Sequence, residues 1–453
     1  MTTRRDLLGA AAALTGTLAL PTTTLAQAAS KSAFVRRDGT RLTLDGKPYR
    51  FAGANIWYGA YLGANADYGD RDRLRRELDT LQSIGVTNLR LLASSETSPL
   101  KNAVKPSFRN RGTVYNPALL DGLDYCLAEM GKRGMKAVLY LTNFWEWSGG
   151  MMTYLTYVNG GKFIDANDPA HPWPQFADAT SEFYRTPKAV ALYHDWVRAL
   201  VGRTNAVTGK PYRDDPTIMA WQLANEPRPG GGPQVAARNL PFFQDWVRGT
   251  ARLIKTLDSN HLVSTGSEGL KGSVERADIY KTEHGFPEID YCTAHIWPLN
   301  WSWVDAKNLP GTHEAGRAKV AEYLQQHEAL ARGLNKPLVI EEFGYPRDGG
   351  GYDPEGTTSF KDRYYGQIFD AVLNSVRTGG PIAGSNFWAW NGEGRAVHGD
   401  HRFRDGDTNW LGDPPHEPQG WYGVYDKDAT TLALIKAHAH SLATAGAPIA
   451  ARR

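Results

Sequence analysis

Cysteine is nearly absent, with 2 in 453 residues. A disulfide framework is therefore excluded as the source of stability. Net charge is scarce as well. Lys+Arg number 51 and Asp+Glu 48, a formal charge of +3. A nucleic-acid partner would call for a larger basic excess. Past residue 20 no apolar run approaches the roughly 20 residues that a membrane helix needs. Low-complexity tracts and long Ser/Pro/Gly linkers are missing too. With 41% hydrophobic and 22% charged residues, the composition is that of a globular chain and not a disordered one. What is plentiful is aromatic: 14 Trp, 21 Tyr and 15 Phe.

The first residues read as an address. Arg4 and Arg5 precede Leu7 and Leu8, an uncharged apolar stretch covers 8–20, and Ala26-Gln27-Ala28 offers a small-residue cleavage site. The paired arginines resemble a twin-arginine export signal. Residues 1–29 are thus expected to be a signal, 30–445 one catalytic-sized domain, and the mature protein periplasmic or secreted.

Short β-rich runs alternate with helical patterns. The strand candidates are 49–56, 87–92, 136–141, 218–224, 262–265, 291–295, 337–341 and 384–388. Amphipathic runs at 72–84, 117–133, 187–205, 241–257 and 312–332 lie between them. In the first, Leu74, Leu78 and Leu81 recur at helical spacing. Eight strands joined by helices predict parallel pairing with right-handed crossovers, and eight closes a (β/α)8 TIM barrel. An open doubly wound sheet is disfavoured, because no Gly-rich phosphate turn follows the first strand. Ahead of the barrel, 41–44, Asp45-Gly46 and 49–51 read as a β-hairpin. Long insertions at 148–186, 227–240, 298–312 and 391–421 are expected to shape the mouth.

A barrel gathers its chemistry at the C-terminal ends of its strands. Those ends carry Asn55 and Trp57, Arg90, Asn143 and Trp145, Asn225 and Glu226, Glu268, His295 and Trp297, Glu341 and Glu342, then Trp388 and Trp390. Aromatic faces beside Asn, Arg and carboxylates suit a polyhydroxylated ligand. Glu226 and Glu342 stand after the fourth and seventh strands, which face each other across the mouth. Such a pair can flank a glycosidic bond, and a retaining hydrolase needs it about 5–5.5 Å apart. Adjacent strand residues point to opposite sides. Glu341 is therefore read as a structural carboxylate behind the barrel, with Glu342 facing the site.

The motifs Asn225-Glu226-Pro227 and Glu342-Phe343-Gly344, in that order on strands four and seven, resemble glycoside hydrolase family 5. The stretch Tyr212-Arg-Asp-Asp-Pro-Thr-Ile-Met-Ala-Trp-Gln-Leu-Ala-Asn-Glu-Pro-Arg228 is similar to its endo-β-1,4-mannanase branch. So are Leu141-Thr-Asn-Phe-Trp145 and Gly266-Ser-Glu-Gly269. The likeness runs from about residue 34 to about 390. It implies Glu226 as general acid/base, with a raised pKa, and Glu342 as nucleophile. Arg90 would orient Glu342 and keep it ionised, Asn225 would bond the sugar 2-hydroxyl, and His295 would touch the catalytic centre. Trp388 would stack under the ring, and Trp145, Trp57 and Trp297 would add sugar contacts. Trp297 departs from the family, which usually has Tyr two residues after the histidine.

The implied substrate is a β-mannan-type polysaccharide or a manno-oligosaccharide, cut by a monomer with no cofactor and no membrane partner. Exo action, a glucan preference, transglycosylation and mere polysaccharide binding stay open as alternatives. Trp301, Trp303, Trp410 and Trp421 divide between sugar platform and loop packing. Asp405-Gly406-Asp407-Thr408-Asn409 loosely resembles a calcium loop without its distal Glu, and is read as an ordinary polar loop with no metal. Cys126 and Cys292 are read as buried free thiols.

Overall fold

The computed structural model describes residues 34–445. The signal read in 1–29 lies outside the described residues. Eight parallel strands form the centre: β1 Phe51–Asn55, β2 Val86–Leu92, β3 Lys136–Tyr140, β4 Ile218–Gln222, β5 Leu262–Ser264, β6 Cys292–Ile296, β7 Leu338–Phe343 and β8 Ile382–Phe387. Their order around the sheet is β5-β4-β3-β2-β1-β8-β7-β6, so β1 pairs with β8. This is a (β/α)8 barrel, and all eight strands read from the sequence are in it.

The one interval without ladder pairing lies between β5 and β6. Polar groups bridge it. Asp290 N donates to Val263 O (2.7 Å), and Val263 N donates to the Asp290 carboxylate (2.7 Å). Higher up, Thr293 Oγ1 donates to Ser267 O (2.7 Å) and His295 N to Glu268 O (3.0 Å).

Most strand residues are buried on both faces, which is why they read as continuous apolar runs and not as alternation. Crossover helices cover the outside, among them Arg71–Ser83, Pro117–Lys132 and Pro187–Val201. Their starts carry local signals. The Asp70 side chain accepts from Arg73 N, and Asn116 accepts from Ala118 N and Leu119 N with Pro117 opening the helix. Among the described residues no helix is long and apolar enough to cross a membrane.

The N-terminal hairpin is a three-stranded sheet. Arg36–Asp38 pairs with Arg41–Leu44, which pairs with Lys47–Pro48. Asp45 and Gly46 both have positive φ (52° and 73°), as a type I′ turn requires. Phe51, read as part of the hairpin, has already entered β1 opposite Gly384. Val35 and Leu42 pack on Phe51, Val138, Met219 and Tyr291, so this sheet plugs the N-terminal end of the barrel. The large cleft lies at the opposite, C-terminal end.

Two insertions are more regular than expected. Residues 148–186 contain the helices Gly150–Val158 and Gln175–Thr180 and a 3-10 segment Ser181–Arg185. The helix read from Pro241 begins at Pro233 and runs to Leu257. Pro241 lies on its exposed face, where water can serve the carbonyl left without a donor. Both cysteines are buried and free.

Candidate active site

Glu226 sits where the chain turns out of β4 with a positive φ of 50°. For a non-glycine residue this is a strained conformation, of the kind that concentrates at functional sites. The turn is pinned by Glu226 N donating to Gly266 O (2.9 Å). A Cβ on Gly266 would lie 1.9 Å from Ala224 O, so only glycine allows β5 this close to β4.

The Glu226 carboxylate accepts from His295 Nδ1 at Oε1 (2.6 Å) and from Trp145 Nε1 at Oε2 (2.5 Å). Across the mouth, Glu342 accepts from Arg90 Nη1 at Oε1 (2.5 Å), and its Oε2 lies 3.1 Å from His295 Nδ1. One oxygen of each carboxylate and a His295 nitrogen all lie within 4.8 Å of one another. Two carboxylates this close can flank one glycosidic bond.

Arg90 is fully buried, and all three of its guanidinium nitrogens donate within the protein. It donates to Gln222 (2.8 Å), Asn55 (3.1 Å), Glu342 and Asn225 Oδ1 (2.6 Å), and its guanidinium lies 4.5 Å from the centre of the Tyr140 ring. It aims Glu342 and Asn225 rather than meeting a ligand. Asn225 is held from its other side, Nδ2 donating to Asn143 Oδ1 (3.1 Å).

The cleft holds about 740 Å³. Its floor and walls come from Trp145, Trp147 and Trp173 after β3, Arg228 after β4, Glu268 and Lys271 after β5, and Trp297 and Trp301 after β6. Trp388, His416 and Glu417 close it after β8. The Trp388–Ala389 peptide at the end of β8 is cis.

A family model described as GH family 5 beta-mannosidase-like matches residues 32–447. The chain belongs to glycoside hydrolase family 5. Among curated relatives, mannan endo-1,4-beta-mannosidase 4 of Solanum lycopersicum is 30% identical over 387 residues, covering 83% of this chain and 87% of that one. A solved family 5 mannosidase from Rhizomucor miehei is 35% identical, covers 92% of this chain and 99% of that one, and has a TM-score of 0.83. A mutant of that enzyme, with a TM-score of 0.84, was solved in complex with mannosyl-fructose.

In this family 5 hydrolase, most of the residues singled out by sequence converge. Glu226, Glu342, Asn225, Trp145, Trp297 and Trp388 line the cleft, with Arg90 and His295 directly behind them. Trp297 packs against Trp388 and Tyr422 (centroids 6.1 and 5.0 Å), while the Glu342 carboxylate takes its contacts from Arg90 and His295.

Trp57 is a correction. It is 1% exposed, donates to Gly412 O (3.0 Å), and is packed between Trp147 and Trp410. The 391–421 segment folds over it, so it has no face left for a sugar. Glu341 is a second correction. A register shift between Ile340 and Glu342 in the β6–β7 ladder breaks the strand alternation. Both glutamates therefore point into the barrel. Glu341 lies one layer deeper and accepts from Gln222 Nε2 (2.5 Å) and Tyr291 OH (3.1 Å).

Proton placement is the third. Burial raises the Glu226 carboxyl, but the hydrogen bond and charge of His295, then Arg228 and the Trp145 N–H, outweigh it and hold it at about 2. Burial opposes charge on His295, yet the Glu342 charge and then the hydrogen bond to Glu226 push its imidazole well above the usual value. The surroundings thus favour an ionised Glu226 beside a charged His295.

Sequence reasoning placed Glu268 at a strand end but missed Arg228, its partner beside Glu226. Arg228 Nη2 donates to Glu268, whose other oxygen accepts from Trp301 Nε1 (3.0 Å). Burial and then the Glu226 charge raise Glu268 to about 7. The position of Arg228, two residues after Glu226, was the available signal. His416 and Glu417 had none, lying in an aperiodic segment. Of the four undecided tryptophans, Trp301 lines the cleft, Trp303 backs it (4.8 Å), Trp410 is fully buried, and Trp421 stacks on Tyr422 (4.6 Å). Within the calcium-like stretch and beside it, Asp405 pairs with Lys105, Asp400 pairs with Arg404, and Asp407 shares a hydrogen bond with His398 (3.0 Å).

Proposed function

We propose that this chain is a retaining hydrolase of β-1,4-linked mannosides that removes units from the chain end. The observation that carries the reaction is the carboxylate pair, Glu226 and Glu342, joined through His295 Nδ1. Glu342 attacks the anomeric carbon as the bond to the leaving oxygen breaks, and Glu226 delivers a proton to that oxygen. Water then attacks the glycosyl-enzyme while Glu226 takes its proton, and Glu342 leaves. Arg90 acts as a positioning residue for Glu342.

The leaving group must lie on the Glu226 side, toward the segments after β3 to β6. That side is open and aromatic, with Trp173 59% exposed at its rim. The opposite side, above β1 and β2, is filled. Trp57 and Trp410 are buried there, Trp410 Nε1 donates to Tyr68 O (2.8 Å), and Arg73 Nη2 donates to Trp410 O (2.8 Å). An endo-acting cleft would need that space for further glycone sugars, and this favours exo over endo action. The mannan-directed names of the relatives support the sugar assignment. Residues 1–29 complete the reading as an export signal that delivers a monomer outside the cytoplasm.

The experiment is a product profile on linear mannan and mannohexaose, with the anomer of the first product followed by NMR. Release of β-mannose with little fall in viscosity is expected. A rapid viscosity drop with mixed oligosaccharides would refute end-wise action, and α-product would refute retention.

A further inference from the structure

Glu268, Arg228 and Trp301 form the cleft wall beside Glu226, yet no strand ladder fixes Glu268. β5 ends at Ser264, and the interval between β5 and β6 is the unpaired one. The loop 265–271 that carries Glu268 is gripped instead from behind. Tyr323 and His327 reach it from the helix Leu309–Gly333, where a spacing of four puts both on one face. Both are buried, and neither lines the cleft.

The grip falls on the main chain of the loop. Tyr323 OH donates to Glu268 O (3.0 Å) and accepts from Lys271 N (3.3 Å). His327 Nε2 accepts from Leu270 N (2.9 Å), and its Nδ1 lies 2.7 Å from Tyr323 O. Nε2 is therefore the bare nitrogen, and Nδ1 carries the hydrogen. Burial lowers His327 to about 4, which keeps the ring neutral as this arrangement requires. Gly269 passes between the two with a φ of 101°. A Cβ there would lie 2.4 Å from His327 Nε2 and 2.8 Å from Tyr323 OH, so the loop is fitted to these side chains. The Tyr323 ring also packs on Trp301 (centroids 5.0 Å), whose N–H bonds the Glu268 carboxylate. Tyr323 thus fixes Glu268 twice, at its carbonyl and through the indole that holds its carboxylate.

Resting on the reading that the leaving sugar lies on the Glu226 side, we propose that Tyr323 and His327 are positioning residues for that sugar, holding Glu268 and Trp301 where its hydroxyls meet them. Neither residue touches substrate. Glu268 is pinned between Arg228 and Trp301, so a shift of the loop displaces the whole wall at once. Polar recognition of this kind is lost with about 1 Å of misplacement. A leaving group without hydroxyls makes no use of the wall, so the contribution of Tyr323 and His327 depends on what leaves.

The test compares kcat/KM of Tyr323→Phe on mannobiose and on an aryl β-mannoside. This variant keeps the ring on Trp301 and removes only the O–H. The fall on mannobiose should be on the order of tenfold, against about twofold or less on the aryl substrate. His327→Leu should show the same split, and His327→Gln, whose amide oxygen can accept from Leu270 N, should reverse most of it. Equal falls on both substrates would make the role merely structural and overturn the proposal, as would no fall on mannobiose. Amide exchange gives a readout without turnover: Leu270 and Lys271 should exchange at least about tenfold faster in Tyr323→Phe, and unchanged exchange would overturn the anchoring. A wild-type enzyme that cleaves neither substrate would instead sink the mannoside reading, with exchange still deciding whether Tyr323 anchors the loop.

Discussion

The 391–421 segment, which straps over β1 and β2, can be loosened at one residue, Trp410. Its indole is fully buried, 4.8 Å from the Tyr61 ring and stacked near Phe403 (6.0 Å), with its N–H on Tyr68 O. Truncating a buried Trp to Ala costs about 3–5 kcal/mol. Trp410 joins the 391–421 segment to the barrel rather than holding the barrel itself. The cost therefore falls on opening of that segment, a local event. At about 1.4 kcal/mol per decade, the open population rises roughly 10²–10³-fold. Proteolysis tracks that population when reclosing is fast. Trp410→Ala should therefore be nicked within 391–421 about 10²–10³ times faster than wild type, mapped by mass spectrometry, with the barrel fragment intact. It should also gain internal cleavage of long mannan, read as viscosity loss per reducing end. Acceleration below about tenfold would refute Trp410 as the anchor. Fast nicking with an unchanged product profile would refute the strap as the barrier to endo action.

Glu226→Ala should lose about 10²–10⁴-fold in turnover on mannobiose. Much of the loss should vanish for an aryl mannoside, whose leaving group needs no proton. Glu342→Ala should be inactive on both, and azide should return an α-mannosyl azide; a β-azide would exchange the two roles. Glu341→Ala should act on stability instead, costing about 1–3 kcal/mol by leaving Gln222 and Tyr291 without their acceptor. The depressed Glu226 carboxyl contributes stability that is present above its ordinary value of 4.5 and lost as pH falls toward about 2. In urea unfolding, the difference between wild type and Glu226→Gln should shrink across that window. The raised His295 acts oppositely: its contribution is complete below 6.5 and is lost as pH climbs through its elevated value. Thiol titration without reductant should find two groups in denatured protein and none in native protein, since Cys126 and Cys292 are both buried.

The barrel was legible because its signals are local. Buried parallel strands give short apolar runs, amphipathic helices give a 3.6-residue period, and Asp45-Gly46 spells its own turn. Glu226 and Glu342 were legible because strand ends predict where chemistry gathers. What escaped depends on contacts between segments far apart in sequence. Trp57 looks like a cleft residue until Gly412 and Trp410 cover it. Glu341 looks outward-facing until one irregular register turns it inward. His416 and Glu417 join the cleft from an aperiodic segment, where no spacing rule applies.

The charge balance around Glu226 has a consequence for the proposed cycle. Glu226 must be an acid in the first half-reaction and a base in the second. Its surroundings favour the base form: Trp145 donates to one oxygen, His295 to the other, and the Arg228 charge lies near. The acid form is reached by moving one proton along the 2.6 Å hydrogen bond from His295 Nδ1 to Glu226 Oε1. Glu342 supports the charge on His295 from 3.1 Å, so that support weakens when Glu342 bonds to the sugar and loses its charge. Nucleophilic attack thereby releases the proton that the leaving oxygen needs. Trp145→Phe isolates this coupling, because it removes only the N–H that favours ionised Glu226 and keeps the ring stacked on Phe176. A hydrogen bond to a charged acceptor is worth about 1.5–3 kcal/mol, which moves Glu226 upward by about 1–2 pH units. ¹³C titration of the Glu226 carboxyl reads that shift directly. An unchanged titration would mean that Trp145 does not hold the carboxylate in its base form.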